Sequence, residues 1–457
     1  MSLSDTGCLQ ARALIARRLG LDFPEARDAD LVRGLTRACQ ASPLPTPEGY
    51  LAWLATLPDE SPEWRRLAGS LTVGETYFFR DCSCFDALEQ HVLPSLIATR
   101  RAEGILRLRL WSAGCATGEE PYSLAILLDR LLPDRANWAV TILATDVNPE
   151  ALAAAGRGSY REWSFREPPP SIRDRYFHRR GAGTFDLDAR IRRMVTVAPL
   201  NLSEASYPSL LTNTGAMDLI LCRNVVMYFT REAQRAAVAR LERSLVPGGW
   251  LVVSPAEASV ELFRPLTHVS LPGAIFYRKD GASVLASPPS WEAETVVPDP
   301  LPTVPAELPS GQILFSSAAR VDSRPDTKTM LRRARAAADQ GELEPASHLC
   351  QTALVRDRLD PDAYLLLAAI CQERDEIPPA LEALRRAIYL APDSAPAHFL
   401  MGSLLLRQGR QRGGRRCMET AVRLLSALRR EEAVPGSGGL TAGRLLEMAR
   451  VYIESSR

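Results

Sequence analysis

Over residues 1–70, apolar and polar residues mix at helical spacing, as in GCLQARALIARRLG and GYLAWLATLPDESPEWRRLAGSL, with prolines breaking the run. This pattern predicts a helical N-terminal domain. Over residues 104–280 it changes to short apolar runs that end in polar residues: ILRLRLW (apolar at Leu106, Leu108 and Leu110), AVTILATD, DLILCRN and GWLVVSP. Between them lie amphipathic stretches such as EPYSLAILLDRLL, with Leu124, Leu127, Leu128 and Leu131 on one face. Strands alternating with helices predict a parallel sheet covered on both sides. Ligands of such sheets sit at the carboxyl ends of the strands, beside a switch point.

Residues 282–325 are proline-rich and have no period, which predicts an extended, semi-rigid linker. Beyond them small residues recur every 34 positions: Ala334, Ala368 and Gly402; Ala346, Ala380 and Gly414; Ala353, Ala387 and Ala421. Such positions let paired antiparallel helices approach closely. Length and pattern resemble tetratricopeptide repeats, best in AIYLAPDSAPAHFLMGSLLLRQG and least in the first repeat, where Arg333 takes a usually apolar position. TAGRLLEMARVYIESSR, apolar at Leu445, Leu446, Ala449, Tyr452 and Ile453, reads as a solubilising end helix. The expected organisation is therefore a helical domain over 1–70, an α/β domain over 71–281, the linker, and repeats over 326–457.

Composition narrows the functional classes. The formal net charge of +1 gives no global argument for nucleic acid or for an anionic membrane. Lys279 and Lys328 are the only lysines, so arginine richness is a compositional habit and a single arginine says little. The nine cysteines are scattered, and the Cys82/Cys84 pair has no second pair or histidine cluster to complete a zinc site. No metal is expected. No segment reaches about 18 uninterrupted apolar residues and the N-terminus is polar, so the expectation is a cytoplasmic protein without membrane insertion.

The chemistry concentrates in RLWSAGCATGEEPYSLA, residues 109–125. It has the look of a nucleotide-binding turn, but Glu119 and Glu120 stand where such turns receive a phosphate. A carboxylate is comfortable at a helix start, by up to about 1 kcal/mol, yet it repels phosphate. The loop suits a cationic ligand without phosphate, and S-adenosylmethionine meets that description. ILATDVNPEAL then supplies Asp146 after the second strand, placed to accept hydrogen bonds from ribose hydroxyls, with Asn148 capping the next helix and Pro149 at its first position. Plain capping remains an open reading for Glu119.

Five motifs occur in order: LTVGETYFFRD, WSAGCATGEEPYS, ATDVN, LCRNVVMYF and LVPGGWLVV. Together they resemble the chemotaxis-receptor protein-glutamate O-methyltransferases, the CheR-type family, over residues 1–280. The resemblance implies a Rossmann-like methyltransferase sheet with a small β-subdomain, between a helical N-terminal domain and the repeats. It implies donor contacts from Thr76, Arg80 and Glu120, a ribose ligand in Asp146, adenine neighbours in Asn201 and Leu202, and Asn224 and Val225 under the reacting centre. Tyr228 would line the acceptor side, and Arg80 and Tyr228 are the candidate catalytic residues. Gly74 departs from members that carry a polar side chain there. The β-subdomain would span 173–200, and its short RRGAGTFD turn suggests that no receptor tether peptide is needed.

The implied reaction is methyl transfer from S-adenosylmethionine to glutamates on the cytoplasmic domain of a chemoreceptor, leaving S-adenosylhomocysteine. The nucleophile is already an anion at neutral pH, so no general base is required. The repeats would bind a protein partner. A reading from another class is a donor-binding scaffold in a chemosensory complex without turnover. A nucleic-acid or small-molecule methyltransferase is disfavoured, since the strand end reads CRNVVMYF and carries no NPPY-type motif.

Overall fold

The structure, a computed structural model, describes residues 3–455 apart from 41, 43, 45, 59, 60, 73, 182, 272, 273 and 281–325. The expected linker lies outside the described residues. The chain opens with helices α1 (Asp5–Leu19), α2 (Asp28–Gln40), α3 (Pro47–Thr56) and α4 (Pro62–Leu71). Three start on side-chain caps: the hydroxyls of Ser4, Thr46 and Ser61 accept the N–H groups of Gly7, Gly49 and Glu63. Pro47 and Pro62 occupy the first turn, where no N–H is needed. Gly20, at φ 68°, ends α1 in the left-handed region.

Then follow α5 (Cys82–Ala87), α6 (Leu93–Ala102), β1 (Arg107–Ala113), α7 (Glu119–Leu131), β2 (Ala139–Asp146) and α8 (Pro149–Arg157). After them come β3 (Ser159–Arg161), α9 (Pro170–Tyr176), β4 (Phe177–Gly181), β5 (Thr184–Leu187), α10 (Ala189–Arg192) and β6 (Val195–Pro199). The domain closes with β7 (Met217–Leu221), α11 (Arg231–Ser244), β8 (Leu245–Val252), β9 (Thr267–Leu271) and β10 (Ala274–Arg278).

Seven strands form one sheet in the order β6-β2-β1-β7-β8-β10-β9. The first five are parallel, but β10 runs antiparallel to both β8 and β9, so the sheet is mixed where a parallel one was expected. Alternation along β1 fills both faces. Leu108 and Leu110 join the core beneath α5–α7, whereas Trp111 and Ala113 join the core made with α1–α4 and α11. The N-terminal helices therefore share a core with the sheet instead of forming a core of their own.

The β-subdomain differs from the expected 173–200. Its three strands are ordered β3-β5-β4, so it begins at Ser159, where Tyr160 pairs with Phe185. Residues 195–199 belong to the large sheet, with Ile142 opposite Val195 and Asp146 opposite Pro199. Val195 and Val197 pack against the small cluster of Cys115, Ala144 and Leu152, which draws that strand to the sheet edge.

Beyond the linker come α12 (Thr327–Asp339), α13 (Leu343–Arg356), α14 (Pro361–Glu373), α15 (Ile377–Leu390), α16 (Ala395–Arg407), α17 (Gln411–Leu425) and α18 (Ala442–Ser455). First helices start at 327, 361 and 395 and second helices at 343, 377 and 411, which reproduces the 34-residue period. A Cβ on Gly402 or Gly414 would sit about 3 Å from the other's carbonyl oxygen, at 3.1 and 3.0 Å, so this pair must stay small. Arg333 is exposed on α12, the outermost helix. Leu210 and Leu211, from the segment before β7, are buried in the core of the repeats. Among the described residues no helix is long and apolar enough to cross a membrane.

Candidate functional site

One cavity lies at the carboxyl ends of β1, β2 and β7, under the N-terminal helices. Its wall brings together Thr76, Arg80, Glu120, Asp146, Asn201, Leu202, Asn224, Val225 and Tyr228, all nine residues singled out from the sequence. Gly74 also lies on the wall, with nothing within 4 Å of where its Cβ would be. The turn after β1 depends on unusual backbone: Gly114, Ala116 and Gly118 have φ of 89°, 46° and 97°. At Gly114 a side chain is also blocked sterically, since a Cβ would lie 2.4 Å from Val225 Cγ2.

The two glutamates of that turn part company. Glu119 points away from the cavity and is buried, accepting from Thr117 Oγ1 at 2.6 Å and Ser164 Oγ at 2.9 Å. It joins the turn to the β-subdomain side. Glu120 faces the cavity, accepting from Ser112 Oγ at 2.8 Å and Arg223 Nη1 at 3.4 Å. The reading left open for Glu119 is thereby decided: it serves the turn, and only Glu120 faces the cavity. Successive residues at a helix start point roughly 100° apart, so only one can face the ligand.

Asp146 ends β2. Its Oδ2 accepts Ala116 N–H and its Oδ1 accepts Asn148 N–H, both at 2.9 Å, and each oxygen keeps acceptor capacity for a further donor. Asn148 Oδ1 caps α8 by accepting Glu150 and Ala151 N–H. The Asn201 amide is engaged by Ser203 and Glu204. Leu202 is fixed through its carbonyl, which accepts from Tyr207 Oη at 3.0 Å and Arg240 Nη2 at 2.9 Å.

On the opposite wall, Arg80 Nη1 donates to the carbonyl of Glu75 at 2.6 Å. Tyr228 is half-buried, with the Arg27 guanidinium 5.2 Å from its ring centre. Three residues that sequence reasoning passed over support this wall. Arg223 is buried and bridges Asp81 at 3.2 Å and Glu120 at 3.4 Å. Glu257 accepts the N–H groups of Asn224 and Val225, each at 2.7 Å. Arg27 comes from the helical N-terminal region. Arg223 lies inside the CRNVV motif and Glu257 forms a capping box with Ser254, so both had a local signal. Arg27 had none.

Residues 74–272 match the family model described as CheR methyltransferase, SAM binding domain. A protein from Pseudomonas putida KT2440, "Probable biofilm formation methyltransferase WspC", is 31% identical over 424 residues, covering 90% of this chain and 96% of that one. The chain belongs to the CheR methyltransferase family. "Chemotaxis protein methyltransferase 1" of Pseudomonas aeruginosa PAO1 is 38% identical across 46% of this chain and 75% of its own length. For "Chemotaxis protein methyltransferase" of Escherichia coli K12 the identity is 33%, across 58% and 89%.

The CheR-family donor is S-adenosylmethionine, and the residues present suit it. Burial, as the largest cause, raises the pKa of both Glu120 and Asp146. Against it, Arg223 and Ser112 lower Glu120, and the N–H donors of Asn148 and Ala116 lower Asp146. A cation beside Glu120 and further hydrogen-bond donors at Asp146 would each favour the ionised carboxylate against the effect of burial. The lining as a whole is less acidic than the sequence suggested, because Arg80 and Arg223 stand beside Glu75, Glu120 and Asp146. Arg223 has its charge matched by Asp81 and Glu120, which leaves Asp146, among the described residues, as an acid without an arginine partner.

Proposed function

We propose that this methyltransferase esterifies glutamate side chains on the cytoplasmic domain of a chemoreceptor and so adjusts its signalling. The observation that carries the reading is a cavity whose wall holds Glu120 and Asp146 and, among the described residues, no histidine. A side-chain carboxylic acid ionises near pH ~4.3 and so needs no base to become a nucleophile. Hydroxyl or amine acceptors would need one. The donor supplies the methyl group on a cationic sulfur, and carboxylate and sulfonium charges cancel as it moves. A cavity with apolar walls such as Leu19, Leu21 and Phe229 favours that loss of charge, and alignment supplies the rest.

In this reading Glu120 and Asp146 bind the donor, Asn201 and Leu202 flank its base, and Thr76, Asn224 and Val225 position its reacting end. Arg80 orients donor or acceptor. A guanidinium fixed on the attacking carboxylate through the reaction would dull it. Tyr228 lines the acceptor side. The protein works in the cytoplasm on a receptor's inner domain, without a tether peptide, a reading supported by the pairing of β4 and β5 as close as Gly181 with Thr184. Micromolar binding of a tether peptide to the full chain would overturn that detail.

The repeats are read as a module for protein partners. The face made by α12 and α14 already holds Leu210 and Leu211, so a partner either displaces them or uses the outer helices α13, α15 and α17. The deciding experiment incubates the full chain with methyl-labelled donor and receptors from the same cell. Base-labile label on a receptor is expected. Label that survives base would exclude a glutamate ester.

A further inference from the structure

We propose that Glu257 is a positioning residue for methyl transfer, holding from behind the loop that carries Asn224 and Val225. It does not line the donor cavity but sits on the other side of that loop, against a separate groove with Met227 and Leu262. The proposal rests on donor binding by the family and is independent of which acceptor is methylated.

The geometry is that of an anion in a nest of donors. Oε1 accepts Val225 N–H at 2.7 Å and Met227 N–H at 3.3 Å. Oε2 accepts Asn224 N–H at 2.7 Å, Ser254 N–H at 3.0 Å and the Ser254 hydroxyl at 2.6 Å. The residue is 6% exposed, and among the described residues no arginine, lysine or histidine lies within ion-pair distance of it. Its charge is balanced by these oriented dipoles alone.

The loop needs such a partner. Asn224 has φ 57°, a left-handed conformation that is unfavourable for a non-glycine residue unless its surroundings hold it. Two stretches of chain, the 224–227 loop after β7 and Ser254 after β8, are fixed by one carboxylate. Its reach extends to the donor side. Val225 Cγ2 sits where a Cβ on Gly114 would fall, so a shift of Val225 moves against the glycine turn that gives Asp146 its Ala116 N–H. Glu257 thus sets the spacing between the two walls.

Glutamine cannot replace it. Whichever way the amide turns, its nitrogen faces two main-chain donors, either those of Val225 and Met227 or those of Asn224 and Ser254. The test measures S-adenosylhomocysteine affinity of the full chain by calorimetry, so no acceptor is needed, and donor kcat/KM where a receptor substrate is in hand. The Glu257→Gln protein is expected to bind at least about tenfold more weakly. Val238→Ala, buried on α11 away from the cavity, is the control for stability loss alone and keeps wild-type affinity. Glu257→Gln within about twofold of wild type, or an equal loss in Val238→Ala, overturns the proposal. If Glu257→Gln does not fold, Ser254→Ala removes one donor to the same carboxylate. A reduction of about two- to fourfold is then expected, and unchanged affinity overturns it.

Discussion

Asp146 is an acid of the cavity wall whose pKa is raised by burial, with only N–H donors opposing the rise. Glu120 is raised too, again by burial first. A raised folded-state value means that the folded protein holds protons which the unfolded chain has already released. These two carboxylates therefore favour folding less as pH rises through that interval, and a bound cation reverses the loss. The stabilisation of melting temperature by S-adenosylmethionine, whose sulfonium carries the charge that S-adenosylhomocysteine lacks, should be larger at about pH 7.5 than at about pH 5, as a thermal-shift titration would register. Arg80 belongs to the same scale. Its guanidinium is held by the Glu75 carbonyl at the cavity wall, so Arg80→Ala should lower turnover at saturating substrates by more than about threefold. A smaller drop in initial-rate assays would remove it from the reaction.

At the scale of elements, the site depends on how strands end and helices begin. β2 stops at Asp146, and Asn148 then starts α8 by accepting two N–H groups, while Pro149 occupies the first turn. The same short run ends a strand, turns the Asp146 carboxylate to the cavity and caps a helix. Asn148→Ala should cost about 1 kcal/mol in stability, read from chemical denaturation, with a further loss of donor affinity because α8 borders the cavity through Ala151. Strand runs, helix faces and the repeat period were legible from local patterning alone, and α12–α17 keep the expected 34-residue spacing. The β-subdomain was misjudged at both ends. Ser159–Arg161 is too short to announce itself as a strand, and Val195–Pro199 reads equally well as an edge of either sheet. The antiparallel turn of β10 was likewise hidden, since an apolar run carries no direction.

The whole molecule joins parts that the sequence presents separately. Arg109, on β1, is fully buried and lies 3.7 Å from Glu373 of α14, with Asn213 and Gly215 also accepting from its guanidinium. Arg65 of α4 pairs with Glu447 of α18, and Arg444 of α18 pairs with Glu204 at 2.7 Å. Glu204 in turn holds the Asn201 amide at 2.8 Å, so the end helix of the repeats touches the support of the donor cavity. Apolar burial of Leu210 and Leu211 completes the attachment. Wild-type protein should therefore unfold in one calorimetric transition, whereas the double variant Leu210→Asp, Leu211→Asp should show two, with the repeats melting separately. One transition in the variant would mean that the repeats are held by other contacts.

The sequence by itself determined the order of domains, the strands and helices of the methyltransferase, the repeat period and the nine residues that meet at the cavity. The elements, the repeat period, Glu120 and Asp146 rest on periodicity and turn chemistry, which act between neighbours in the chain, whereas the other seven cavity residues came from the resemblance to the CheR-type family. Only the tertiary structure decided that Glu119 turns away while Glu120 faces the cavity, that Arg223 and Glu257 brace its walls, and that the repeats grip residues 210–211. These depend on which groups, tens to hundreds of residues apart, are buried against one another. Burial, charge pairing and hydrogen-bond satisfaction are properties of assembled neighbours; a local motif such as CRNVV or the Ser254 capping box can mark a residue but not the partner it meets.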